Sequence, residues 1–184
     1  MPRTWKTLSS KVVYGNPWIK IHEDQVLRPD GKNGIYSYLE KPPGTFIIAM
    51  DDDSNIYLIK EYRYPIKKTI IQLPAGVINK NSTNLYQAKK ELFEETGIHA
   101  KTWKHLGKFY VGAGHETTLC HTYLATDLDL SQLKTTHQEG DEAIQEIVKV
   151  SLKELKKLIS SGNFECGISL SALTHFLLYL ENLT

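Results

Sequence analysis

Leu73-Pro74-Ala75-Gly76-Val77-Ile78-Asn79-Lys80-Asn81-Ser82-Thr83-Asn84-Leu85-Tyr86-Gln87-Ala88-Lys89-Lys90-Glu91-Leu92-Phe93-Glu94-Glu95-Thr96-Gly97-Ile98 is the stretch on which the fold turns. Its second half predicts a helix over 83–96, because Leu85, Ala88 and Leu92 recur at helical spacing and Gly97 stands where a left-handed C-terminal residue belongs. At about 100° per residue, Glu91, Glu94 and Glu95 share one arc beside that apolar stripe. Ser82 reads as the helix cap. Three crowded carboxylates repel one another unless a cation sits among them, and hard divalent ions such as Mg²⁺ or Mn²⁺ take oxygen ligands. Taken alone, an ExxEE is more often a solvated acidic face, here paired with Lys89 and Lys90. The strand and Leu-Pro-Ala-Gly loop before it, and the glycine stop after it, change that balance.

Outward from this stretch, the chain reads as strands first and helices last. Strands are expected at 12–14, 18–21, 25–27 and 35–39, and a hairpin at 45–50 and 56–59. The turn Asp51-Asp52-Asp53-Ser54-Asn55 joins that hairpin and lacks the glycine and terminal glutamate of an EF-hand loop, so it reads as a solvated turn. Further strands are expected at 70–73, 107–111, 119–124 and 144–150, and helices at 152–159 and 168–180. The order suggests an α+β or α/β sandwich. Lys41-Pro42-Pro43-Gly44 is the best internal boundary, dividing an N-terminal β segment over 1–44 from a domain over 45–184.

The chain has 184 residues, long enough to bury a core as one domain with an appendage. Its 22 Lys+Arg against 21 Asp+Glu argue against a nucleic-acid polymer as the main ligand. No apolar run is long enough to span a bilayer, and Met1 to Lys6 do not read as a secretory signal. Two cysteines, Cys120 and Cys166, cannot build a disulfide framework, so a reducing, cytoplasmic setting is expected. The histidines at 22, 99, 105, 115, 121, 137 and 175 form no HxH or HExxH pattern. His115, in the loop Gly112-Ala113-Gly114-His115-Glu116, is a candidate substrate contact, and His175 on an apolar helix reads as packing.

The spacing of Gly76, Glu91, Leu92, Glu94, Glu95, Gly97 and Ile98 resembles the Nudix box, G-x5-E-x7-R-E-U-x-E-E-x-G-U with U aliphatic. Ser82 stands at the first glutamate of that pattern and Lys90 at the arginine. Lysine keeps the charge and loses the bidentate fork. The lead-in Ile56 to Pro65, with Tyr62-Arg63, and the Leu73-Pro74-Ala75-Gly76 loop are similar to the ADP-ribose pyrophosphatase branch, and the likeness covers roughly residues 15–180. Gln72, and Ala113 near a usual proline, depart from that branch.

The resemblance implies a Nudix α/β/α sandwich around a mixed sheet, with an N-terminal β extension that pairs subunits of a homodimer. It implies Glu91 and Glu95 as main metal ligands, Glu94 assisting as a ligand and in catalysis, and the Ala75 carbonyl as a further ligand. Arg63 and Gly76 fall at the substrate. The water-activating acid is expected from a downstream loop, with Glu142 favoured, then Glu139, and Glu116 as another candidate. The implied reaction is Mg²⁺- or Mn²⁺-dependent hydrolysis of a nucleoside diphosphate derivative, led by ADP-ribose giving AMP and ribose 5-phosphate. Another nucleotide sugar or a nucleoside triphosphate is the alternative. A nucleotide-binding module without turnover is a third reading, motivated by Ser82 and Lys90.

Overall fold

A computed structural model describes residues 4–133 and 143–183. Glu139 and Glu142 lie outside the described residues, as does His137. The chain forms two compact units, the first running up to Pro43 and including Tyr110–Leu119, the second comprising Gly44–Phe109 and the chain from Cys120 onward.

The first unit is an antiparallel meander of β1 (Lys6–Gly15), β2 (Lys20–Leu27) and β3 (Asn33–Glu40). β2 runs unbroken through His22-Glu23-Asp24, where the sequence suggests an interruption. Cross-strand partners satisfy two of these polar residues, Lys11 Nζ meeting Glu23 Oε1 at 2.8 Å and His22 Nε2 meeting Glu40 Oε2 at 2.6 Å, while Asp24 Oδ1 is buried without a hydrogen-bond partner. Gly31, with φ 82°, closes the β2–β3 turn in a conformation that only glycine adopts cheaply. The segment Tyr110–Leu119 docks on β3, with Leu39 N donating to His115 O at 2.9 Å and Thr117 N to Leu39 O at 3.0 Å.

The second unit is a seven-stranded mixed sheet with helices on both faces. Its strands are β4 (Gly44–Met50), β5 (Asn55–Arg63), β6 (Lys68–Gln72), β7 (Ala75–Val77), β8 (His99–Tyr110), β9 (Leu119–Asp129) and β10 (Ile144–Ser151). The main order is β10-β5-β4-β9-β8, and β4 and β9 run parallel. Alternation along β4 sorts the core into two clusters. Ile47 and Ala49 pack with Tyr57, Ala88 and Leu92, whereas Ile48 packs with Ile56, Leu58, Leu155 and Phe176. The first cluster holds α1 (Asn84–Thr96); the second holds α2 (Leu152–Ser160) and α3 (Gly167–Glu181). The sandwich expected from element order is therefore observed.

Local chemistry accounts for the helix ends. Thr83, not Ser82, caps α1: its side chain accepts from Tyr86 N at 3.2 Å, while Ser82 donates to Thr83 O at 3.2 Å. Leu85 is exposed rather than part of the buried stripe, which consists of Gln87, Ala88, Leu92, Glu95 and Thr96. Gly97, with φ 72°, ends the helix as expected and sends its N–H back to Phe93 O. Ser151 and Glu154 form a capping box on α2.

The acidic turn is a polar knot, with Asp51 Oδ1 accepting from Asn55 N at 2.8 Å and Lys149 Nζ lying 2.8 Å from Asp51 Oδ2. Burial opposes ionisation of Asp51, but the bonds from Lys149 and Asn55 prevail and hold its carboxyl at about 2, below the usual 3.8. A lowered folded value adds stability above the unfolded value of 3.8, and that stability drains away as pH falls towards 2. Asp51→Asn is therefore expected to lose up to ~2 kcal/mol at pH 7 and little near pH 2, measured by urea unfolding at both.

Candidate active site

β4 and β5 pair only beside their shared turn, through Ala49–Tyr57 and Met50–Ile56. Beyond it they part, β5 taking β6 as partner and β4 taking β7. Leu73-Pro74 carries the chain from one pair to the other. Leu73 N donates to the buried Ser169 Oγ at 3.1 Å, and Ile47 N donates to Pro74 O at 2.9 Å. Proline suits this crossing because it has no N–H to satisfy. The crossing delivers Ala75 and Gly76 beneath α1.

Two α1 carboxylates close on that peptide. Buried Glu95 accepts from Ala75 N through Oε2 at 2.9 Å. Glu91, one helical turn earlier, lies so near Gly76 that a Cβ there would stand 2.0 Å from Glu91 Cδ. Gly76 is thus required for space, not for an unusual backbone angle. Gln87 Nε2, a further turn back, donates to Glu91 Oε1 at 2.6 Å and orients it. Glu94 also has a partner on α1 itself: Lys90 Nζ pairs with its Oε2 at 2.6 Å. The lysine in the arginine position therefore serves Glu94 across one turn, an i,i+4 pair on a partly exposed surface.

Arg63 stands on the face of β5 that carries Tyr57, three alternations further along. Its Nη1 lies 2.8 Å from Glu61 Oε1, its Nε donates to Gln72 Oε1 at 2.9 Å, and Gln72 Nε2 donates to Glu61 Oε2 at 2.5 Å. Glu61 and Gln72 are buried, whereas the Arg63 side chain is 44% exposed. The pair acts as a brace that aims a half-exposed guanidinium. Burial raises the Glu61 carboxyl above its usual range, against the opposing pull of Arg63 and the Gln72 bond. Gln72 departs from the glutamate common at its position, and the brace gives a reason: the carboxamide both donates to Glu61 and accepts from Arg63, which a carboxylate cannot do.

The other candidates fall in the first unit. His115 is exposed, and Glu116 accepts from Thr118 Oγ1 at 2.6 Å with its Oε1 3.8 Å from His115 Nε2. His175, as expected, packs: it lies against Gly107 and Phe109, with Nδ1 3.3 Å from Thr122 Oγ1. Thr45 Oγ1, on the β4 residue paired with Gly76, is buried without a hydrogen-bond partner. Sequence reasoning missed Gln87, whose role depends on a neighbour in space, and read Glu61 only as a surface salt-bridge partner of Arg63, a pair the structure does form.

Among the described residues, no group of three or more His, Cys, Asp or Glu side chains stands together as a ready cage. What is present is two carboxylates one turn apart, gripping a main-chain peptide in a cradle that a single methyl would fill. This all-oxygen donor set fits Mg²⁺ or Mn²⁺, because Mg²⁺ is usually held by one or two carboxylates together with substrate phosphates.

Known proteins resemble this chain over most of its length. Residues 40–165 match the NUDIX domain, and residues 5–39 match the nucleoside diphosphate sugar hydrolase N-terminal domain. An ADP-ribose pyrophosphatase of Bacillus subtilis is 30% identical over 156 residues, covering 85% of this chain and 83% of its own length. An ADP-ribose pyrophosphatase of Mycobacterium tuberculosis is 30% identical over 139 residues, covering 74% of this chain and 67% of its own. The crystal structure of an ADP compounds hydrolase superposes with a TM-score of 0.83, covering 97% of this chain and 95% of that one at 19% identity.

Proposed function

The chain belongs to the NUDIX family and is a Nudix pyrophosphohydrolase related to ADP-ribose pyrophosphatases, and from that premise we propose that it hydrolyses ADP-ribose to AMP and ribose 5-phosphate. The observation that carries the site assignment is the joint grip of Glu91 and Glu95 on Ala75-Gly76. Family members generally use divalent metal ions. In this reading Glu91, Glu95 and the Ala75 carbonyl hold Mg²⁺ or Mn²⁺, with Glu94 assisting. The ion, when bound, neutralises charge on the diphosphate oxygens.

The chain's own groups do the rest. Arg63 has five N–H donors, of which Nε and one on Nη1 serve Gln72 and Glu61. The half-exposed remainder suits paired phosphate oxygens. A water oxygen bonds to one phosphorus, the bridging P–O bond breaks with its electron pair staying on the oxygen of the departing phosphate, and the water's proton passes to the carboxylate of an acidic residue acting as base. We assign that residue to Glu142, ahead of Glu139 and Glu116. In support, the neighbouring Ala143 O accepts from Tyr62 N at 3.1 Å, one residue from Arg63. His115 is kept as a substrate contact.

The test is product analysis with ADP-ribose, other nucleotide sugars and nucleoside triphosphates, with and without Mg²⁺. AMP and ribose 5-phosphate formed fastest from ADP-ribose, and only with metal, support the reading. Faster turnover of another nucleotide sugar, the class named by the matched N-terminal domain, would replace the substrate and keep the site.

We also propose a homodimer built through the N-terminal β segment over 1–44. Every residue of β1 is exposed, with Leu8, Val12, Val13 and Tyr14 each at least half exposed. Such an apolar edge strand is a template for a second copy of the chain. Light scattering is expected to give twice 21.0 kDa, and a monomer at micromolar concentration would refute this. Among the described residues no helix is long and apolar enough to cross a membrane. Cys120 and Cys166 form no disulfide with each other, which suits a reducing cytoplasm.

A further inference from the structure

A second polar cluster lies on the α1 face of the same unit, away from the carboxylates. His105 on β8 and His121 on the neighbouring β9 bring Nε2 and Nδ1 to 3.2 Å, with ring centroids 5.4 Å apart. Asn84, the first residue of α1, holds its carboxamide Nδ2 against the His121 ring, 3.1 Å from Nε2 and 3.3 Å from Nδ1. Tyr123 packs edge-on against His105 at 5.1 Å and supports that ring. The cluster also has a defined position on the sheet: His121 pairs in register with Thr45, and Thr45 pairs with Gly76. It therefore sits two strands from the Glu91 cradle and shares no side chain with it.

We propose that His105 and His121, with Asn84 as third donor, form a binding site for a late first-row divalent ion, Ni²⁺, Cu²⁺ or Zn²⁺, distinct from the carboxylate site. Two ring nitrogens bound to one ion at about 2.1 Å lie about 3.0–3.4 Å apart at angles between 90° and 109°. The observed 3.2 Å falls inside that span with no movement of either strand. Imidazole nitrogen selects these ions over Mg²⁺, which prefers oxygen. Metal ligation needs neutral imidazole. Burial, then the nearby His105 and Lys108, pull the His121 value below its usual level, so this ring is held in the ligating form. Turning the Asn84 carboxamide by half a turn exchanges Nδ2 for Oδ1 and presents an oxygen donor at the same place. Without metal, the ring N–H of one histidine donates to the lone pair of the other, and the ion replaces that single proton. The inference is independent of the hydrolytic reading, since it uses none of the residues assigned to it.

The experiment is calorimetric titration of Ni²⁺ into the full chain in excess Mg²⁺, so that oxygen sites are already filled. One high-affinity Ni²⁺ per chain is expected. Loss of a group that merely hydrogen-bonds a metal ligand costs about 10–100-fold in affinity, so loss of a ligand itself in His105→Ala or His121→Ala is expected to weaken binding at least that much. His99→Ala, a histidine stacked on Phe93 elsewhere, and Glu95→Gln are expected to keep wild-type affinity. His105 is exposed, so its substitution leaves the core untouched and keeps the test decisive if His121→Ala misfolds. Wild-type affinity in His105→Ala, or no Ni²⁺ binding by the wild type, would overturn the proposal.

Discussion

Glu95→Gln is expected to reduce turnover by at least ~10²-fold while leaving the fold and the melting temperature close to those of the wild type. The size follows from the loss of a ligand charge: even partners one shell out from a metal cost about 10–100-fold when removed. The fold survives because glutamine has the same volume and still offers a carbonyl oxygen to Ala75 N, which Glu95 Oε2 meets at 2.9 Å. The residue is 2% exposed, so a larger or smaller side chain would confound packing with charge. Steady-state kinetics across a Mg²⁺ series, with thermal unfolding alongside, checks the result. Activity near the wild-type level would remove Glu95 from the metal assignment.

Gly76→Ala is expected to be as damaging for a different reason. The added methyl would lie 2.0 Å from Glu91 Cδ, 2.3 Å from Oε1 and 2.4 Å from Cγ. No rotamer of a methyl relieves a clash with its own Cβ, so Glu91 must leave or β7 must shift. If Glu91 leaves, one proposed ligand goes and Gln87 loses its partner at 2.6 Å. If β7 shifts, its pairing with Gly44–Phe46 is disturbed. Overpacking of this sort costs about 1–3 kcal/mol. The expected outcome is a lower melting temperature together with a loss of turnover of ~10²-fold. Gly167→Ala is the matched control, because a Cβ there meets nothing within 4 Å at the start of α3 and should leave melting unchanged or slightly raised. Wild-type turnover in Gly76→Ala would mean that the Glu91 cradle is not the working geometry.

Much of the second unit was legible from residues alone, and the reason is local. α1 has a period, a stop at Gly97 and an acidic arc, all encoded within fourteen or so consecutive positions. The strands that form the core are β-branched runs ended by turn residues, so their existence is readable even where their ends are not. The misreadings have an equally physical source. Leu85 fits the helical stripe but lies in the first turn of α1, short of the buried Ala88 and Leu92. Ser82 and Thr83 are both competent caps, and only the backbone path selects Thr83. β2 looks broken at His22-Glu23-Asp24 because its compensating partners, Lys11 and Glu40, are distant in sequence.

The sequence by itself determined the helix, its three carboxylates, the glycine before it and the arginine on the preceding strand, because spacing along one chain sets which face a side chain takes. Tertiary structure alone decided what those groups do to one another. The divergence of β4 and β5 carries Ala75-Gly76 under α1, turning Glu91 and Glu95 into a cradle and leaving Glu94 to Lys90. Strand pairing brings Gln72 and Glu61 to Arg63, and sets His105 against His121 across sixteen residues. These contacts join positions whose separation along the chain carries no periodic signal, so they exist only once the sheet has closed its register.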